Sequence, residues 1–232
     1  MTTAAPPRVL ALIPGYEEGP RIGAVVAAAR QHLPVLVVDD GSTDDTTARA
    51  EAAGAVVLPQ RPNQGKGAAL RMGFRRALTE GFDAVITLDA DGQHAPDEIP
   101  RFLAAYAADP DGVRPELIIG QRDFRRMPPI RRLSNTIGGA AFSWAVGRSI
   151  PDNQSGYRLL GRRLMSAMVD SRETGFEFEV EMIAVCLRRG WPLTWVPIST
   201  IYAGEPSHVK PIHHLRNFVR ATRAARRRIR EP

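Results

Sequence analysis

Two aspartates one residue apart close an apolar run, Val85-Ile86-Thr87-Leu88-Asp89-Ala90-Asp91-Gly92-Gln93. Magnesium and manganese prefer oxygen ligands and keep part of their coordination for water and substrate phosphate. A buried strand ending in this pair would hold such a cation against a diphosphate, with Asp91 as direct ligand and Asp89 and Gln93 as further or water-mediated ligands. Two other loops carry complementary chemistry. Asp39-Asp40-Gly41-Ser42 follows the apolar Val35–Val38; its acids suit a nucleobase or ribose hydroxyl, or serve as a helix-capping turn. Asn63-Gln64-Gly65-Lys66-Gly67 sets a lysine between two glycines ahead of a helical pattern. Backbone N–H groups at a helix N-terminus favour phosphate, and the lysine adds a point charge. The spacing G-x4-G-K-[ST] of a P-loop is missing.

The elements that must position these loops alternate. Val9–Pro14, Val35–Asp39, Ala55–Leu58, Ala84–Asp89 and Leu117–Gly120 read as buried strands. Arg21–Gln31, Asp44–Ala53 (with Gly54 as C-cap), Gly67–Glu80 and a segment opened by Pro96 read as helices. This alternation predicts a mostly parallel sheet covered on both faces. Ligands of such sheets bind beyond the carboxyl ends of the strands, where the three loops would gather. The second half is less regular. Ile130–Val146 and the amphipathic Phe176–Arg189 read as helices, Tyr157–Leu160 and Leu193–Pro197 as strands, and Asp152–Gly156 as a turn. His213–Arg230 reads as a final helix with the stripe Leu215, Phe218, Val219, Thr222, Ala225 and Ile229.

Bulk properties narrow the function classes. A chain of 232 residues suits one domain with a sizeable core. Its single cysteine, Cys186, excludes an internal disulfide or a cysteine zinc cluster and reads as core filler. No apolar run long enough to span a bilayer occurs, and the N-terminal residues lack the features of a secretory signal; a cytoplasmic location is the default. Basic residues are concentrated from Lys210 to Arg230, where eight occur with no acid. That run suits an anionic partner, a membrane surface or nucleic acid, or a solvated helix face. His94 reads as a loop histidine. His208, His213 and His214 lack the companions of a metal site, and Trp144, Trp191 and Trp195 read as core or interface anchors.

Taken in order, the motifs resemble the family 2 glycosyltransferases. The family opening Pro-x-Tyr-Asn-Glu is matched by Pro14-Gly15-Tyr16-Glu17-Glu18, with Glu17 at the usual asparagine. Val-Asp-Asp-Gly-Ser-x-Asp is matched by Val38–Asp44, Asn-x-Gly-Lys-Gly by Asn63–Gly67, and Asp-x-Asp by Asp89 and Asp91. Later segments are similar to the polyprenyl-phosphate (dolichol-phosphate mannose synthase-like) subgroup. These are Gln93 after the acidic pair, Gly120-Gln121-Arg122, Arg131-Arg132-Leu133-Ser134, Asp152–Arg158, Phe178–Met182, and Val196-Pro197-Ile198 followed by Tyr202, Glu205, Ser207 and Lys210. The transmembrane helices that end some members do not follow.

The resemblance implies an α/β protein of the GT-A class (nucleotide-diphospho-sugar transferase, Rossmann-like) with a mostly parallel central sheet flanked by helices. A single domain over residues 1–232 would divide into a nucleotide-sugar half (about 8–125), an acceptor half (about 126–212) and a basic amphipathic helix over the remainder. It implies an inverting, metal-dependent transfer of a hexose from a donor of the GDP-mannose or UDP-glucose type, with Mg2+ or Mn2+ as cofactor. Pro14, Tyr16, Glu18, Asp40, Gly41, Lys66 and Asp89 would hold the donor. A lipid phosphate acceptor is already anionic and needs cations more than a base; Arg122, Arg131, Arg132, Ser134, Ser155 and Lys210 would hold it. A hydroxyl acceptor would need a carboxylate to take its proton, for which Asp152 and Glu181 are the candidates. The final basic helix would lie on an anionic membrane or pack on the domain. A haloacid dehalogenase-type phosphatase and a non-catalytic nucleic-acid binder are the distant alternatives. The first places its acidic motif on its first strand, and the second is supported by the basic tail alone.

Overall fold

The computed structural model describes residues 5–107, 113–126, 129–175 and 177–199, and positions 220, 222, 223, 225–227 and 229. A seven-stranded sheet runs in the order β3-β2-β1-β4-β6-β5-β7. Its strands are β1 Val9–Gly15, β2 Val35–Asp39, β3 Val56–Pro59, β4 Ala84–Thr87, β5 Leu117–Arg122, β6 Arg158–Gly161 and β7 Leu193–Ile198. The helices are α1 Gly19–Ala29, α2 Thr46–Ala52, α3 Lys66–Thr79, α4 Ile99–Ala107, α5 Pro129–Val146, α6 Arg162–Met168 and α7 Glu177–Arg189.

The side-chain alternation of β1 shows why its sequence is apolar throughout. Leu10 and Leu12 face a core with Leu70 and Phe74 of α3, Leu164 and Met165 of α6, and Phe178 and Ile183 of α7. Val9, Ala11 and Ile13 face the opposite core, with Ile22 and Val26 of α1 and Ile99 and Phe102 of α4. A strand buried on both faces has no polar side to show. The pairs β1–β2, β1–β4, β2–β3 and β5–β7 are parallel. The sheet is thus α/β and mostly parallel, flanked by helices.

Two features depart from the sequence reading. Strand β6 enters between β4 and β5 and is antiparallel to both. Its chain direction brings the preceding loop, Asp152–Tyr157, to the edge where β4 delivers its acids. Helix α6, seven residues directly after β6, is too short to show a helical apolar period in sequence. The proposed final helix lies largely outside the described residues. Described positions there are helical, and Ala225 is buried. Among the described residues no helix is long and apolar enough to cross a membrane.

Candidate active site

The carboxyl ends of β1, β2 and β4 open into a cleft of about 430 Å³, lined by Pro14, Tyr16, Glu18, Asp40, Asn63, Gly65, Lys66, Asp89 and Asp91 among others. Parallel strands deliver their following loops to one edge, so three loops distant in sequence meet there.

The two acids after β2 have separate roles. Asp39 Oδ1 accepts from the Ser42 N–H at 3.0 Å and the Ser42 hydroxyl at 2.5 Å, and its Oδ2 accepts from Thr47. It caps its own turn. Asp40 accepts from Gln60 Nε2 at 2.5 Å and from the N–H groups of Gln64 at 2.8 Å and Gly65 at 2.7 Å. It fastens the glycine–lysine loop to the β2 end. A carboxylate has about four acceptor positions, so Asp40 retains capacity for little more than one further donor from the cleft. Glu17 has φ of 56°, a left-handed backbone that asparagine adopts more readily than glutamate. Its Oε1 accepts from the Thr43 N–H at 2.8 Å and the Thr43 hydroxyl at 2.9 Å, so it braces the acidic loop. Glu18 binds Arg21 at 2.7 Å.

At the centre stands Lys66, the first residue of α3. Its Nζ is 2.5 Å from Asp89 Oδ1 and 2.8 Å from Glu179 Oε1. Burial works against its charge, but the two carboxylates prevail and raise its pKa above the ordinary lysine value. Burial likewise opposes ionisation of Asp89, yet Lys66, then His94, bring its pKa down to about 2. The backbone N–H of Asp89 donates to His94 Nδ1 at 3.1 Å. His94 therefore carries any proton of its neutral form on Nε2, and burial lowers its pKa. It stacks on Tyr157 with ring centroids 5.0 Å apart. The loop histidine of the sequence reading is a buried support for the acidic motif.

Glycines permit this close assembly. Gly65 has φ of +91°, and a Cβ there would sit 2.8 Å from the Thr174 carbonyl oxygen. A Cβ on Gly156 would come within 2.8 Å of both Asp89 Oδ2 and Lys66 Nζ. The loop before β6 thus forms the back wall of the ion pair.

Asp91 faces the cleft, and its Oδ1 accepts from the Gln93 N–H at 2.9 Å. Among the described residues no three His, Cys, Asp or Glu side chains converge into a cage for an ion. Two carboxylates at the mouth of a cleft fit a divalent cation that completes its shell with water and substrate phosphate.

Arginines hold the segment between β5 and β6. Arg122, at the end of β5, forms a two-pronged contact with Asp152: Nε to Oδ2 at 2.7 Å and Nη2 to Oδ1 at 2.9 Å. Asp152 also accepts from the N–H groups of Arg122 at 3.3 Å, Gln154 at 3.0 Å and Ser155 at 3.2 Å. The carboxylate is 1% exposed and its acceptor positions are filled. Arg158, also 1% exposed, donates to the carbonyls of Ser155 at 2.7 Å, Glu179 at 2.5 Å and Asn153 at 3.0 Å. The Asn153 Nδ2 and Ser155 Oγ atoms are buried without a hydrogen-bond partner.

Of the two acids in the Phe178–Met182 segment, Glu179 joins the cleft through Lys66, while Glu181 accepts from the Ser171 hydroxyl at 2.5 Å. Residues two apart on a helix point about 200° apart, so only one can face the lysine. Glu181 is the candidate in the sequence, but Glu179, whose one signal there is its place in the same motif, is the acid that meets Lys66. Arg158 belongs to a sequence motif that gives it no role, and the fold makes it the anchor of the loop before β6. Arg132 is exposed on α5, the side chains of Arg131 and Ser134 lie outside the described residues, and so does Lys210. Cys186 is buried, and burial pushes its thiol up to about 12. Trp191 and Trp195 pack against the core, whereas Trp144 is 75% exposed.

Comparisons with known proteins converge on one family. The model of glycosyl transferase family 2 matches residues 11–168. An undecaprenyl-phosphate mannosyltransferase of Micrococcus luteus is 32% identical over 212 residues, covering 84% of this chain and 84% of its own length. A polyprenol monophosphomannose synthase of Mycolicibacterium smegmatis is 30% identical over 210 residues, covering 83% of this chain and 77% of its own. Among solved structures, glucosyl-3-phosphoglycerate synthase of Mycobacterium tuberculosis, in complex with Mn2+ and UDP-glucose, superposes with a TM-score of 0.74 at 22% identity. That match covers 96% of this chain and 79% of the synthase, and it shows a shared GT-A fold.

Proposed function

The chain belongs to glycosyl transferase family 2 and is a glycosyltransferase similar to the polyprenyl-phosphate mannose synthases; on that premise we propose that it moves a hexose from a nucleotide-diphosphate sugar to a polyprenyl phosphate. The names of its relatives, an undecaprenyl-phosphate mannosyltransferase and a polyprenol monophosphomannose synthase, support this acceptor class.

The observation that carries the reading is the state of the candidate bases. Asp152 has its acceptor positions filled by Arg122 and by backbone N–H groups, and Glu181, two residues from Glu179 on α7, is turned away from Lys66 and accepts from Ser171. A hydroxyl acceptor needs a carboxylate that can receive its proton. A phosphate does not, since it carries its charge at neutral pH. Arg122, kept rigid by Asp152, presents cationic surface where such a phosphate would bind, with Arg131, Arg132, Ser134, Ser155 and Lys210 as further contacts.

In this reading the donor spans the cleft. Tyr16, Glu18, Asp40 and Gly41 receive the nucleoside, with Pro14 shaping the wall. Lys66 and the N-terminus of α3 lie toward the diphosphate. Asp91, with Asp89 and Gln93, would hold Mg2+ or Mn2+, which when bound offsets charge on the leaving nucleoside diphosphate. The acceptor phosphate oxygen attacks the anomeric carbon in line as the bond to the diphosphate breaks, inverting that centre. The exposed Ile137 and Trp144 on α5, with Arg226 5.0 Å over the Trp144 ring, support peripheral contact with an anionic bilayer.

A screen of GDP-mannose and UDP-glucose with a short polyprenyl phosphate and Mn2+ or Mg2+, read as nucleoside-diphosphate release, tests the proposal. Turnover with the lipid phosphate is expected, and Asp91→Ala should abolish it in a folded protein. Turnover with glycan hydroxyls but not with the lipid phosphate would overturn the acceptor class. Full activity in chelator would remove the cation.

A further inference from the structure

Lys66 has two carboxylate seats, and they belong to different parts of the site. Its ammonium lies 2.5 Å from Asp89 and 2.8 Å from Glu179. Asp89 stands in the acidic motif. Glu179 stands on α7, with a side chain only 7% exposed. Gly156 closes the wall behind the pair, because any Cβ there would lie 2.8 Å from both the ammonium and Asp89 Oδ2. His94 fixes the backbone of Asp89 from the other side. Among the described residues, the alternative to Asp89 is Glu179, already within hydrogen-bond distance of the lysine.

We propose that Lys66 and a divalent cation compete for Asp89, and that Glu179 is the positioning residue that retains Lys66 when the cation arrives with the donor diphosphate. The inference rests on the reading of Asp89 and Asp91 as cation ligands. Its physical basis is local charge. In the free protein the ammonium neutralises Asp89, so a cation approaching the motif meets a ligand already paired and a positive neighbour. A diphosphate adds anionic oxygens on the cleft side, which favours the cation, while Glu179 holds the displaced ammonium close to the same oxygens. Cation and nucleotide would therefore bind cooperatively. The side chains of Lys66 and Asp89 remain 37% and 28% exposed, so the exchange requires no opening of the core.

The test is Mn2+ binding, followed by the signal of the free ion in electron paramagnetic resonance, with Mn2+ alone and with Mn2+ plus GDP or UDP. Wild-type protein should bind Mn2+ more tightly with the matching nucleotide than without. Lys66→Met, similar in length and uncharged, should tighten binding of Mn2+ alone about tenfold, the order expected when a competing charge at ion-pair distance is removed. Glu179→Gln should act in the opposite direction and weaken Mn2+ binding in the nucleotide complex about tenfold, with partial recovery in Glu179→Asp. A merely structural role for Lys66 would weaken binding in Lys66→Met, and a merely structural role for Glu179 would weaken it equally with and without nucleotide; thermal melting confirms that each variant is folded. Unchanged or weaker binding of Mn2+ alone by Lys66→Met overturns the competition. Wild-type protein that binds Mn2+ neither alone nor with nucleotide overturns the cation reading as well.

Discussion

Replacing Arg158 by lysine keeps a positive charge and removes a shape. The guanidinium donates to three carbonyls that lie around it, those of Asn153, Ser155 and Glu179. A single ammonium on a similar stem can satisfy one of them well and leaves two backbone acceptors buried. Hydrogen bonds from a charged donor contribute about 1.5–3 kcal/mol each, and an abandoned buried acceptor costs a similar amount. Loss of two therefore sets the expected destabilisation of Arg158→Lys at roughly 3–6 kcal/mol. At about 2–4 °C per kcal/mol for a chain of this size, the melting temperature should fall by roughly 10 °C. Urea unfolding with an unchanged slope measures the free energy, and calorimetry the temperature. The functional consequence follows the same connections. Arg158 anchors the loop that carries Asp152, and Asp152 orients Arg122, so the acceptor KM should rise several-fold; the same guanidinium holds the Glu179 carbonyl, so nucleotide affinity should fall by a smaller factor. A loss of less than about 1 kcal/mol, or equal damage to donor and acceptor binding, would refute this account of the loop.

Gly156→Ala should separate packing from function. The atoms its Cβ would meet first are the ends of two flexible side chains, Lys66 Nζ and Asp89 Oδ2, so stability should fall by no more than about 1 kcal/mol by urea denaturation while donor affinity drops at least tenfold by calorimetry. The buried His94 has a depressed pKa, so below about pH 6.5 the unfolded chain takes up a proton that the folded chain resists. The stability contributed by neutral His94 is present above that pH and lost as pH falls toward its folded value. Wild-type unfolding free energy should therefore decline more steeply between about pH 7 and 5 than that of His94→Gln, and parallel slopes would contradict the assignment. The Cys186 thiol, raised to about 12 by burial, should resist iodoacetamide at pH 8 in the native state and react once urea unfolds the chain; mass spectrometry reads both.

Much of the fold was legible because it rests on local rules. Continuous apolar runs such as Val9–Ile13 and Val35–Val38 can be buried only between two layers, and their alternation with helical patterns implied a parallel sheet. Strand β6 escaped that rule. It is four residues long, and strand direction is decided by which neighbours it pairs with, which no local pattern records. In the site, the acidic pair, the glycine–lysine turn and the cationic segments were visible as motifs, because each depends on residue type and spacing within a few positions.

What the chain's order of residues determined by itself was the inventory: two acids after an apolar strand, a lysine framed by glycines, an arginine after β5, and the family they belong to. What only the tertiary structure decided was who binds whom. Lys66 meets Glu179 across 113 positions of sequence, Arg122 saturates Asp152 across 30, and Arg158 spends its donors on carbonyls rather than on a substrate. Electrostatic and hydrogen-bonding partners are selected by distance in space, and distance in space is set by how the sheet brings remote loops to a common edge.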